Sequence, residues 1–202
     1  EVLIDALCRL NEQGENYVSI VPEPFTILPD MKKTVTLSDG TISGTSGNDV
    51  INGSYTGDPD GDVIDGNDAI IAGHSADDDL IDAGAGDDNI TGGDGNNTIY
   101  AGDGNDLIQA GSGSGDIVYG GAGDDTFVDY YGSAQDHTFY GGDGYDQVSL
   151  HPLEGPTTTI LTGDGSGTTT TDPGGSLTFE SVEVIFGSNL EDTFDGTASG
   201  TA

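Results

Sequence analysis

Basic residues are almost missing from this chain. Its 202 residues include three Lys or Arg against 37 Asp or Glu, a formal charge of −34, and no basic residue follows Lys33. Recognition of nucleic acid or anionic lipid needs basic patches, which this composition does not supply. Glutamate is missing between Glu23 and Glu154, so every acid in that stretch is aspartate, the shorter carboxylate that fits a tight loop. A merely solvated acidic face would mix in Glu and Lys. Cys8 is the one cysteine. An internal disulfide is thereby excluded, and a secreted protein held together by metal is suggested. No apolar run approaches 18 residues, so no helix is expected to span a membrane. The chain opens without Met and without a visible secretory signal, which reads as a fragment or a processed product. High charge with few aromatics also marks disorder. Carboxylates ~4 Å apart repel by about 1 kcal/mol each even in water, so disorder is the expectation without cations.

What the chain has in quantity is glycine and aspartate in a nine-residue beat from Gly44 to about Ser149. Ala83-Gly-Ala-Gly-Asp-Asp-Asn-Ile-Thr91, Gly92-Gly-Asp-Gly-Asn-Asn-Thr-Ile-Tyr100 and Ala101-Gly-Asp-Gly-Asn-Asp-Leu-Ile-Gln109 are consecutive frames. Each reads small-Gly-x-Gly-x-Asp-x-apolar-x. A short fixed period means one unit stacked on itself. The beat starts with Gly44-Thr-Ser-Gly-Asn-Asp-Val-Ile-Asn52, breaks at about 53–64, and resumes around Gly66-Asn-Asp68 and at His74 to Asp82. Residues 110–119 carry one extra residue, and three more (129–131) precede the last two frames.

Three regions follow from this pattern. Residues 1–43 form a cap or the remnant of a preceding domain, with a short helix through Val2, Leu3, Ala6, Leu7 and Leu10 and strands over 17–21 and 33–37. Residues 44–149 form the repeat tract. Residues 150–202 form a Thr-rich β extension, with strands over 157–161, 176–179 and 182–186 and turns at 163–167 and 173–175. The frame returns once at Gly187 to Asp195, so the stack is expected to widen and continue.

The tract resembles the RTX (repeats-in-toxin) calcium-binding β-roll of type I secreted proteins. The resemblance implies an all-β parallel β-roll, six residues of turn and three of strand per frame, and two frames per coil. It further implies calcium between turns stacked on one side, held by sixth-place aspartates and backbone carbonyls. The residue types suit that arrangement. Calcium takes six to eight oxygens at about 2.3–2.6 Å, and a short loop can turn its carbonyls inward only with backbone angles that glycine tolerates. The eighth-place Ile51, Ile81, Ile90, Ile99, Ile108, Phe127, Phe139 and Val148 are expected to point inside the coil. That core is thin, so metal must supply much of the folding free energy.

The expected metal-site residues are Asp49, Asp68, Asp79, Gly84, Gly86, Asp88, Gly93, Gly95, Asn97, Gly102, Gly104, Asp106, Asp116, Gly121, Gly123, Asp125, Gly142, Gly144 and Asp146. Alternate frames separate two sides. One carries Asp88, Asp106, Asp125 and Asp146; the other carries Asp79, Asn97, Gly115/Asp116 and His137. The first is expected to hold a full file of calcium ions and the second a patchier one, unless neighbours such as Asp78 and Asp136 compensate. Asp58, Asp60 and Asp62 alternate like the first half of an EF-hand loop, with glycine at the fourth place instead of the sixth and Ala69 at the twelfth; they read either as an extra calcium loop or as a polar insertion.

Other chemistry finds little support. His74, His137 and His151 lack paired zinc spacing and read as surface turn residues. Gly111-Ser-Gly-Ser-Gly115 falls inside a repeat turn and is compositional. Solvated, metal-facing aspartates have lowered pKa values and make poor general acids. Tyr100, Tyr119, Tyr130, Tyr131, Tyr140 and Tyr145 read either as strand packing or as an exposed stacking surface. The expectation is therefore a non-enzymatic calcium module of a bacterial secreted or surface protein, with a structural or adhesive role. Self-association or a glycan or cell-surface partner would fit, as would service as the export module of a larger enzyme.

Overall fold

The computed structural model describes residues 9–10, 16–17, 38–65, 75, 77–113, 115–129, 136–150, 155–171 and 174–196. The chain divides into two compact units, Glu1–Val35 and Thr36–Ala202. In the first, strands β1 (Arg9–Leu10) and β2 (Asn16–Tyr17) pair antiparallel. Leu10, expected in a helix, is therefore in a strand. The rest of that helix, residues 18–21 and the strand expected over 33–37 lie outside the described residues.

The second unit is an all-β parallel roll. Six strands make one sheet: β4 (Val50–Ile51), β6 (Asn89–Thr91), β8 (Leu107–Gln109), β10 (Thr126–Val128), β12 (Gln147–Ser149) and β16 (Val184–Phe186). The facing sheet has nine strands and includes β3 (Thr41–Ser43), β5 (Leu80–Asp82), β7 (Thr98–Asp103), β9 (Ile117–Ala122) and β11 (Asp136–Asp143). Consecutive frames alternate between the sheets, so two frames close one coil. Leu80 pairs with Thr98, and Thr98 with Ile117, all parallel. The coil length absorbs the sequence irregularities. Asp88 and Asp106 are 18 residues apart, Asp106 and Asp125 19, and Asp125 and Asp146 21.

Each short strand turns its middle residue inward, because side chains alternate across a strand. The expected ladder is buried along its whole length: Ile51, Ile90, Ile108, Phe127 and Val148 on one sheet, Ile81, Ile99 and Phe139 on the other. Ile42 and Val118 complete it. Phe127 and Phe139 stack across the interior with centroids 5.2 Å apart. Each such side chain contributes about 1.5–3 kcal/mol by burial. Ala83, Ala101, Ala110 and Leu150 join the ladder in one buried core, which Leu177, Phe179 and Val182 extend into the C-terminal region.

The C-terminal region departs from a simple widening. β13 (Thr157–Gly163), β14 (Ser166–Thr171) and β15 (Ser176–Glu180) form an antiparallel meander, and β15 pairs parallel with β11. The turn in the first hairpin is Asp164 and Gly165 alone. Ser166 and Gly167, expected in that turn, begin β14. Thr159 and Thr169 share a buried hydroxyl hydrogen bond of 2.8 Å across the pair. The coil then returns through β16, beside β12, and the last described strand is β17 (Thr193–Asp195), which pairs parallel with β13.

Candidate metal centre

The turns between strands stack as tightly as their glycines allow. Gly102 and Gly104 have φ of 114° and 138°. A Cβ on either would lie 1.9 or 2.0 Å from the carbonyl oxygen of Gly84 or Gly86 in the coil before. Only glycine fits, by conformation and by space. The same positive-φ turn recurs at Gly84 and Gly86, Gly93 and Gly95, Gly121 and Gly123, and Gly142 and Gly144.

On the flank that leads into the six-stranded sheet, the sixth-place carboxylates form a continuous file. The Asp49 N–H donates to Asp88 Oδ1 at 2.7 Å, Asp88 N–H to Asp106 Oδ1 at 2.8 Å, Asp106 N–H to Asp125 Oδ1 at 2.8 Å, and Asp125 N–H to Asp146 Oδ1 at 2.9 Å. One oxygen of each carboxylate is thus consumed in tying coils together. The other, Oδ2 of Asp88, Asp106, Asp125 and Asp146, is buried with no hydrogen-bond partner. A buried unpaired carboxylate oxygen is costly. Burial pushes all four acids above their ordinary pKa, Asp106 to about 6 and Asp125 to about 7. The acids expected to be solvated are therefore buried, and in the metal-free roll desolvation outweighs the backbone donors; the lowered pKa expected of metal-facing acids belongs to the calcium-bound state.

A row of orphaned carboxylate oxygens beside inward-folded glycine turns has the donor chemistry of a hard, oxygen-loving cation. Residues 36–55, 75–108, 82–116 and 110–128 match, in four copies, the family model described as RTX calcium-binding nonapeptide repeat. Residues 36–55 and 75–128 carry RTX calcium-binding nonapeptide repeats. RTX repeats mark a calcium-binding module of secreted proteins, and calcium is the cofactor. No curated protein and no solved structure matches the chain.

The opposite flank of the RTX roll is built differently. Asp79 N–H donates to Asn97 Oδ1 at 2.8 Å, and Asn97 N–H donates to Asp116 Oδ1 at 2.6 Å. Asp79 Oδ2 accepts the Asp65 N–H at 3.0 Å. Asp116 Oδ2 stands 3.0 Å from His137 Nδ1, with both side chains buried. His137 is therefore no surface residue; its place in β11 turns it inward, beside Phe127. His74, His151 and Asp68 lie outside the described residues.

The Asp58–Asp62 segment folds around its own carboxylates. Asp58 Oδ1 accepts the N–H groups of Asp60, Gly61 and Asp62, and Oδ2 accepts that of Ser43. Asp62 is buried and accepts the Gly40 N–H at 2.9 Å and the Ser38 hydroxyl. Asp60 joins Asp62 and Asp39, a residue the motif does not include, in a close carboxylate group.

Sequence reasoning also misses the far end of the first file. Asp146 N–H donates at 2.7 Å to Glu183 Oε2, so Glu183 occupies the next aspartate's place. A second file runs through the fifth places: Asn105 N–H to Asp87 Oδ1, Asp124 N–H to Asn105 Oδ1 and Tyr145 N–H to Asp124 Oδ1, at 2.7–2.9 Å. Its signal in the sequence is the Asn or Asp at the fifth place of most frames, which the calcium motif does not include.

Proposed function

We propose that this chain is a non-enzymatic module that folds when calcium fills the Asp88–Asp146 flank outside the cell and then serves a structural or adhesive role. The observation that carries the reading is the set of four buried, unpartnered Oδ2 atoms. Without cations the folded file is electrostatically unfavourable; with them the same oxygens become ligands, so binding and folding are coupled. Extracellular calcium modules work at about 0.1–1 mM, which leaves such a chain unfolded before export. The structural role draws support from the last rung. Phe194, at the eighth place of its frame, is 51 % exposed where its counterparts in the repeat tract are buried, and Phe186 and Leu190 are as exposed. Leu161, Val182, Ile185 and Phe194 line an open cavity of about 360 Å³ beside them.

A glycan-binding role is less favoured. Tyr100, Tyr119 and Tyr140 stack on one another at 4.8 and 5.0 Å, nearly parallel, so their faces are spent on each other and mainly edges remain. Service as the export module of a larger enzyme remains the alternative use of the same fold. Circular dichroism and light scattering across a calcium titration test the proposal. A β spectrum that appears with calcium and vanishes with EDTA is expected; one indifferent to chelation would sink it.

A further inference from the structure

Asn97 and Asp106 hold the same place in consecutive frames, and their first side-chain oxygens do the same work. Each Oδ1 accepts the N–H of the sixth-place residue one coil back, Asp79 or Asp88, at 2.8 Å. The other terminal atom separates them. Asp106 Oδ2 is buried without a partner. Asn97 Nδ2 donates to the carbonyl oxygens of Gly92 and Asp94 in its own turn, both at 3.1 Å. Asn97 Nδ2 and the Oδ2 of Asp125, Asp106's neighbour in the file, point alike in their turns: a Cβ on Gly92 would lie 3.1 Å from Asn97 Nδ2, and one on Gly120 would lie 2.4 Å from the Oδ2 of Asp125.

A carboxylate and an amide are nearly isosteric, but one is an anionic acceptor and the other a neutral donor. The Asn97 amide supplies to two loop carbonyls what a cation would supply, and it removes the charge that would attract one. At the next sixth place, Asp116 Oδ2 likewise accepts no hydrogen bond, but unlike Asp106 Oδ2 it stands 3.0 Å from a nitrogen, Nδ1 of the buried His137. Nearby acids do not restore a site. Asp78 spends its oxygens on the N–H groups of Asn96 and Ser75, each at 2.7 Å, and Asp136 Oδ1 accepts the Ser176 hydroxyl at 2.7 Å.

We infer that the flank running through Asn97, Asp116 and His137 closes without calcium, the Asn97 amide and the His137 imidazole standing in for the ions. Of the two flanks, calcium then loads only the one running from Asp88 to Asp146. The inference rests on the calcium-dependent folding proposed above, and it makes one flank a metal-independent seam on which the other assembles. The whole chain and two variants test it, with calcium counted by native mass spectrometry and located by anomalous diffraction. Wild type is expected to place ions on the Asp88–Asp146 flank and none beside Asn97. Asn97→Asp is expected to bind at least one ion more than wild type, and Asp106→Asn at least one fewer. Equal ion density on both flanks of wild type, or an unchanged count in Asn97→Asp, overturns the inference. A wild type with no ions on either flank overturns the calcium-folding proposal itself. If Asn97→Asp fails to fold, the wild-type ion positions and the Asp106→Asn count still decide.

Discussion

Glu183 Oε2 accepts the backbone N–H of Asp146 at 2.7 Å, across 37 residues of chain. The carboxylate file that begins in the nonapeptide repeats is thereby finished by a residue outside them. β13 and β14 are an excursion from the coil, and β15, parallel to β11, resumes the same stacking.

Removing that terminal acceptor is expected to loosen the last coil only. A hydrogen bond to a charged group contributes about 1.5–3 kcal/mol, so Glu183→Ala in calcium should cost about that much. Hydrogen exchange should accelerate at the Asp146 amide and leave the Asp88 amide, which donates to Asp106, unchanged. Equal loss at both sites would mean the file acts as one unit.

Acid is expected to replace calcium in part. The folded-state pKa of Asp125 is raised to about 7 and that of Asp106 to about 6, both chiefly by burial. Folding of the metal-free chain therefore takes up protons. Its stability is fully present below the ordinary carboxylate pKa, near 4, and is lost as pH rises through about 6 to 7. Far-ultraviolet circular dichroism in EDTA should show more β structure at pH 4.5 than at pH 7.5. In calcium the sign reverses, since protons compete for the same oxygens.

The turn glycines allow a direct test of stacking. Gly104→Ala places a methyl 2.0 Å from the Gly86 carbonyl oxygen at a φ of 138°. The backbone strain alone is worth about 1–3 kcal/mol, and the clash adds to it. The calcium midpoint of folding should rise markedly. Gly53→Ala, where a Cβ meets nothing within 4 Å, is the control and should change little.

Core truncation should be severe for so thin an interior. Ile99→Ala removes a fully buried rung and is expected to cost about 2–5 kcal/mol in calcium, read as a lowered Tm. Tyr119→Ala, on the outer face of the same sheet, removes two ring stacks. The expected cost is smaller, of the order of 0.5–1.5 kcal/mol per aromatic pair beyond area.

The repeat carried much of this protein openly. A period of nine, glycine at the second and fourth places and an apolar eighth place dictate turn, strand and inward ladder, because each is a local demand of backbone angle or side-chain alternation. Ile81, Ile99 and Phe139 could be placed in the core from the sequence alone for that reason. Apolar spacing around Leu10 predicts a helix over a stretch too short to tell a helix from a strand, and pairing with Asn16–Tyr17 decides for the strand. The sequence predicts His137 in a surface turn, whereas β11 turns it inward. The partner of each carboxylate was equally invisible, since it stands a coil away, 18 to 39 residues along the chain. Only coil closure determined which oxygens found amides, which met Asn97 and His137, and which were left buried without a hydrogen-bond partner.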